Sequence, residues 1–203
     1  MLRIGLTGGI GTGKTYLSKH FVDMGIPVYY ADDEAKKLYR NPLFLAEMRM
    51  AFPDERLWFA DGTLNMPVLS QSFGDETFLQ RLSYFVHPYV MRDFERWASE
   101  QNVQAVIMES AILFEYGLDS YFDKIIVADA PEALRIKRIR ERNPHLTEAD
   151  VRQRMSRQMP QEEKCSRADL VVCTGETYAE GAKMNDLSPW PLSKWRGERL
   201  ISS

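Results

Sequence analysis

The sequence is poor in the residues that staple small proteins or ligate metals. Cysteine occurs twice in 203 residues, at Cys165 and Cys173, and histidine three times, at His20, His87 and His145. Two cysteines without CxxC spacing exclude a disulfide framework, and three scattered histidines suggest no zinc site. No run approaches the roughly 20 apolar residues of a membrane-spanning helix. The N-terminal stretch MLRIGLTGGIGTGKT is broken by glycines and lacks a small-residue cleavage site, unlike a signal peptide. An excess of positive charge is missing too. Basic residues number 26 against 29 acidic ones, a net charge of -3, which disfavours a protein that coats nucleic acid. Neither repeats nor low-complexity tracts interrupt the chain. These absences predict a cytoplasmic protein of a reducing compartment, with no membrane or nucleic-acid partner.

What is present is a 44% hydrophobic chain, long enough to bury a sizeable core. Leu2 to Thr7 is a short apolar run that breaks into glycines, as a buried parallel strand does. A helical pattern runs from about Lys14 to Met24 and stops at Gly25, and Val28 to Tyr30 is a second short strand. Val103 to Met108, Lys124 to Val127 and Leu170 to Cys173 are strand-like, with helices at about Pro131 to Arg142 and Thr147 to Gln158 between the last two. Alternation of this kind predicts a parallel α/β sheet. Between the second and third strands lie about 70 mostly helical residues, with breaks expected at Asn41-Pro42, Pro53, Asp61-Gly62 and His87-Pro88. That is too long for a simple crossover and is read as an acceptor-binding subdomain.

One motif carries chemistry. Gly8 to Thr15 reads GGIGTGKT and fits GxxxxGK[ST], placed between a strand and a helix as a phosphate-binding loop must be. Its glycines let backbone N–H groups turn toward phosphate oxygens, and the helix N-terminus adds partial positive charge. Lys14 is expected to reach the β- and γ-phosphates, and the Thr15 hydroxyl to ligate Mg²⁺. The alternative, a glycine-rich turn that binds nothing, has little in its favour. The DxxG and NKxD strings of a GTPase do not occur. Phosphoryl transfer to a small molecule then requires an acceptor site, a base and cations over the phosphates. Asp32, at the end of the second strand, can serve as that base or as N-cap of the next helix, with Asp33 competing for either role. Residues 135–142, RIKRIRER, carry five cations. They are either the solvated face of an amphipathic helix or the source of arginines that close over the transferred group. Without this segment the chain holds 21 basic against 28 acidic residues, so it reads as an acidic body with one concentrated cationic strip.

Together these segments resemble the dephospho-CoA kinases. The resemblance covers about residues 1–180. It rests on LTGGIGTGKT at Leu6 to Thr15, YAD at Tyr30 to Asp32, His87-Pro88, and ILFE at Ile112 to Glu115. Further along, it includes APEALRIKRIRER at Ala130 to Arg142, Gln158, Lys164 and Ala168-Asp169. It implies an adenylate-kinase-like P-loop fold: a three-layer α/β/α sandwich around a parallel five-stranded sheet, with a helical acceptor-binding insert and a helical lid. Residues 1–31 and 103–185 would form the nucleotide-binding core, with the lid at about 138–165. Residues 32–102 would bind the acceptor. The reaction implied is transfer of the ATP γ-phosphoryl group to the ribose 3′-hydroxyl of dephospho-CoA, the last step of coenzyme A synthesis, with Mg²⁺. Carried across by position, Asp32 is the base, Lys14 and Arg142 are catalytic, and Thr15 contributes to the metal site. ATP would be held by Gly9, Gly11, Thr12, Gly13, Lys14, Thr15, Tyr16 and Arg138, and the acceptor by Asp32, His87 and Leu113. The chain departs from the family pattern at four positions. Tyr30 replaces the first Asp of a DAD triplet, Glu109 and Ala111 replace an Asp and a Pro, and Thr174 replaces an Asn. The tail Asp186 to Ser203, with Trp190 and Trp195, matches nothing in the family. A nucleotide monophosphate kinase of the same architecture, and a regulatory nucleotide-binding module, are the competing readings.

Overall fold

The computed structural model describes residues 1–175. The expected tail and the last ten residues of the expected core lie outside that range. The described chain divides into two compact units, one built from Met1–Tyr29 and the residues from Gln101 onward, the other from Tyr30–Glu100.

The first unit holds a five-stranded sheet of β1 (Leu2–Thr7), β2 (Val28–Tyr30), β3 (Ala105–Glu109), β4 (Lys124–Asp129) and β5 (Leu170–Cys173), in the order β2-β3-β1-β4-β5. The β1–β3, β1–β4 and β4–β5 ladders are all parallel, with Ile4 opposite Ile107 on one side and Lys124 on the other. Helix α1 (Lys14–Asp23) links β1 to β2, and α6 (Glu132–Arg142), α7 (Glu148–Ser156) and α8 (Gln161–Arg167) link β4 to β5. The first connection steps one way along the sheet and the last steps the other way. Right-handed crossovers therefore put α1 and α6–α8 on opposite faces, which makes the three layers. The reversal falls beside β1, so the turn leaving β1 opens at the carboxyl edge where this class of sheet binds ligands.

Burial follows the pleat. Ile4 and Leu6 share one core cluster with Ile107, Ile126 and Ala128, and with Leu17 and Phe21 of α1. Gly5, pointing the other way, has room for no side chain: a Cβ there would lie 2.6 Å from Ile125 Cδ1 and 2.8 Å from Leu113 Cδ1. A second cluster joins Ile136 and Ile139 of α6 to Leu146 and to Val151 of α7, and Ile10 packs against it.

The second unit consists of α2 (Ala31–Leu38), α3 (Pro42–Ala51), α4 (Met66–Ser72) and α5 (Glu76–Ser99), with a 3₁₀ turn at Glu55–Leu57. Side chains fix several of these starts. Asn41 accepts from the N–H groups of Leu43 and Phe44, Asn65 from Val68, and Asp75 from Thr77 and Phe78. Its interior is aromatic, with Phe44, Phe52, Phe85 and Tyr89 meeting at ring separations of 5.0 to 5.6 Å.

The break expected at His87-Pro88 is not there. Helix α5 runs 24 residues with Pro88 inside it. A proline removes one N–H and crowds the preceding turn, but here Leu82, Val86, Val90, Met91, Phe94 and Ala98 are buried along one side. Burial of that stripe outweighs the local penalty. It also half-buries His87, and this desolvation pushes the imidazole down to about 4. The unfolded chain takes up the proton near 6.5, so folding stability is lost as pH falls from about 6.5 to about 4. Denaturation midpoints measured across that window are expected to fall more steeply in the wild-type protein than in His87→Gln.

Candidate active site

The turn between β1 and α1 is built around backbone groups. Gly13 serves as the N-cap of α1 at φ 90°, ψ 22°, with no side chain capping the helix. A side chain at Gly13 would be strained by that φ and would also meet Thr174 Oγ1 at 2.8 Å. The N–H groups of Gly11, Gly13 and Thr15 find no acceptor among the described residues. Uncapped donors at the start of a helix, backed by its dipole, form an anion site.

The rest of the loop is tied down. Thr12 is fully buried and donates its hydroxyl to Gly9 O at 2.9 Å. Lys14 Nζ bends back to Gly8 O at 2.9 Å and Gly9 O at 3.4 Å, which places the ammonium over the loop. The N–H of Gly9 donates to Gln161 Oε1 at 2.9 Å and that of Ile10 to Gln158 Oε1 at 2.8 Å. Arg135 Nε donates to Ile10 O at 3.0 Å. Arg138 donates to Gly11 O at 3.4 Å, to Thr174 Oγ1 at 3.0 Å and to the Thr174 carbonyl. The Thr174 hydroxyl in turn donates to the Thr12 carbonyl.

The structure thus brings together Gly9, Gly11, Thr12, Gly13, Lys14, Thr15 and Arg138 of the residues named from sequence. Tyr16 is on the same first turn of α1, 58% exposed, with its ring 5.8 Å from that of His20. Arg142, at the last position of α6, is exposed and forms no ion pair among the described residues. Leu113 is wholly buried against Gly5 in the first unit, a packing position. Asp32 and His87 belong to the second unit. Asp32 is not the helix cap that was one of its two readings. Tyr30 is the N-cap of α2, and Asp32 sits exposed in its first turn, where a carboxylate suits the dipole. Asp33 is engaged with Lys36 at 2.8 Å.

The residues also fit a magnesium ion of the kind that phosphates bring with them. Among the described residues no group of three or more His, Cys, Asp or Glu is placed to hold a metal. The Thr15 hydroxyl, exposed at the loop, has no hydrogen-bond partner among them. Mg²⁺ commonly keeps its waters and takes few protein ligands beside substrate phosphates.

Sequence reasoning gave no role to the supports of this site. Lys164 of α8 is fully buried, donating to Glu115 Oε1 at 2.6 Å and to the Ala111 carbonyl at 2.8 Å. Burial lowers its pKa, and the Glu115 carboxylate opposes that shift. Glu115 Oε1 also accepts from the Met159 N–H at 3.1 Å. The pair therefore anchors the start of α8 to the segment that follows β3. Arg167 adds to the anchor, donating to Asp119 at 3.0 Å with its guanidinium 4.4 Å over the Phe114 ring. Of these residues, Gln158, Lys164 and Glu115 stood in the segments of resemblance, but a pair 49 residues apart leaves no periodic signal.

A model of the dephospho-CoA kinase family matches residues 2–180. The chain belongs to the dephospho-CoA kinase family. A dephospho-CoA kinase of Bacteroides fragilis is 36% identical, across 84% of this chain and 83% of its own length. One of Ruegeria pomeroyi is 33% identical across 91% and 93% respectively. Among solved structures, a Thermus thermophilus protein superposes with a TM-score of 0.72 at 31% identity, covering 84% of this chain and 87% of its own. The dephospho-CoA kinase of Campylobacter jejuni superposes with a TM-score of 0.60 at 24% identity, covering 87% and 90%, and speaks for the fold. The fold is that of the P-loop kinases.

The Lys164–Glu115 pair yields a stability prediction. Lys164→Met strands a part-buried carboxylate and is expected to cost about 3 kcal/mol, while Lys164→Met combined with Glu115→Leu recovers most of that loss. Urea denaturation of the two single variants and the double variant measures the coupling. Additive losses would mean that the two side chains act independently.

Proposed function

We propose that this chain transfers the γ-phosphoryl group of ATP to the ribose 3′-hydroxyl of dephospho-CoA, giving coenzyme A and ADP. The observation that carries the reading is the loop itself, with unengaged N–H groups at an uncapped helix start and Lys14 folded over it. The family match takes in this loop together with the chain on to residue 180. Consumption of ATP, and two cysteines that are both free, suit the cytoplasm.

In the reaction a bond forms between the acceptor 3′-oxygen and the γ-phosphorus as the bond to the β,γ-bridging oxygen breaks. The electron pair of that bond leaves with ADP. The loop N–H groups and Lys14 hold the β- and γ-phosphates in line and neutralise the charge that develops on the leaving oxygens. Asp32 takes the proton of the attacking hydroxyl, a role suited to an exposed carboxylate within a few residues of a strand end. Arg138 secures the nucleotide side of the loop, and Arg142, at the far end of the same helix and without an ion-pair partner among the described residues, is the cation assigned to the transferred group. Mg²⁺, held by the Thr15 hydroxyl and phosphate oxygens, would supply charge neutralisation across the β- and γ-phosphates. His87 belongs with the acceptor.

Incubation with ATP, Mg²⁺ and dephospho-CoA, with CoA scored by mass, tests the reaction. Asp32→Asn is expected to lower kcat by about 10²–10⁴-fold with ATP affinity nearly unchanged. An unaltered kcat would remove Asp32 from the base role. Arg142→Ala is expected to slow transfer at unchanged thermal stability, and wild-type turnover would return this arginine to the solvated face of its helix.

A further inference from the structure

The outer turn of the phosphate loop, Gly9–Ile10, is held by three side chains that follow it by 125 to 152 residues. Gln161 spends both ends of its amide on this task. Its Oε1 accepts from the Gly9 N–H, while Nε2 donates to the Ala128 carbonyl of β4 at 3.0 Å. Those two partners leave the amide one orientation. Gln158 accepts from the Ile10 N–H, and Arg135, 7% exposed, donates to the Ile10 carbonyl. The Arg135 guanidinium lies so close over Gly9 that a Cβ there would be 2.4 Å from Nη2 and 3.0 Å from Gln161 Oε1. The Ile10 side chain packs on the apolar cluster of α6 and α7. Both polar groups of Ile10 and its side chain are thus engaged by the β4–β5 connection. The donors left for a ligand, on Gly11, Gly13 and Thr15, begin at the next residue.

We infer that Gln158, Gln161 and Arg135 are positioning residues for the phosphate site. They form a clamp that holds the outer turn so that the following N–H groups keep a phosphate-accepting geometry, and none of them needs to touch the substrate. The physical case is one of preorganisation. A loop that must offer several unsatisfied donors at once gains affinity when its conformational freedom is removed in advance. The clamp spans a segment whose far end is fixed by the buried Lys164–Glu115 pair, so the loop is referenced to the sheet through α8. The inference rests on reading Gly8–Thr15 as the site for the ATP phosphates.

Gln158→Met tests it, because it keeps length and removes the acceptor. The expected result is a rise of about tenfold in the KM for ATP, the worth of roughly one hydrogen bond, with the KM for dephospho-CoA unchanged. Hydrogen exchange at the Ile10 amide should accelerate about tenfold while the Ile4 and Leu6 amides of β1 keep their protection. Val106→Ala, a truncation in the buried part of β3, serves as the control. It should lower the melting temperature without moving either readout. The inference is overturned if Gln158→Met behaves like Val106→Ala, with the ATP KM and Ile10 exchange at wild-type values. Failure of the reaction is recognised separately, since a wild-type protein that forms no CoA refutes the substrate while Ile10 exchange still decides the clamp.

Discussion

A phosphate loop has to leave backbone donors unsatisfied, and the nucleotide unit is arranged around that requirement. Unpaired N–H groups are costly wherever water is partly excluded, and most of the neighbouring backbone groups are engaged. The Gly8 and Gly9 carbonyls take Lys14, the Ile10 carbonyl takes Arg135, the Thr12 carbonyl takes Thr174, and the Gly9 and Ile10 N–H groups go to two glutamines. What remains open is a short row of donors at the start of α1. Selectivity for an anion is then a matter of subtraction. The loop's outer backbone groups are paired off, and the row of N–H donors at the start of α1 is left.

The cationic run on α6 looks uniform as a string but is divided by helix periodicity. Arg135 turns inward and is buried, with burial pulling its pKa down against the carboxylates of Asp129, Glu132 and Glu162. Arg138, almost one turn on, reaches the loop and Thr174. Lys137 and Arg140 line an outer groove with Glu132, Glu141 and Glu148. Arg142 stands exposed at the helix end. A single strip of positive charge thus serves as buried strut, loop contact and solvated face at once.

The parts legible in the sequence were those written in local patterns. Apolar runs ending in glycine gave β1 and its loop, and β2, β4 and β5 began where their runs began. Pro88 misled because a rule about one residue's backbone was set against a buried stripe spread over five turns. Asp32 was ambiguous because cap and first-turn positions differ by a residue or two, a margin that propensity does not resolve. Leu113 sat in a recognisable segment, yet only three-dimensional packing shows that it fills the space above Gly5. Gln158, Gln161 and Arg135 were hardest to read, because the loop groups they hold are single backbone atoms more than a hundred residues away.

The hydrogen bond from Thr174 to Thr12 has a further consequence for how the protein is made. It joins residues 162 apart, so the ring it closes contains most of the chain. The loop is synthesised long before β5, so this contact forms only after β5 has emerged and paired beside β4. Between those two events the nascent chain carries the loop without the Thr174 hydroxyl that ties it to β5.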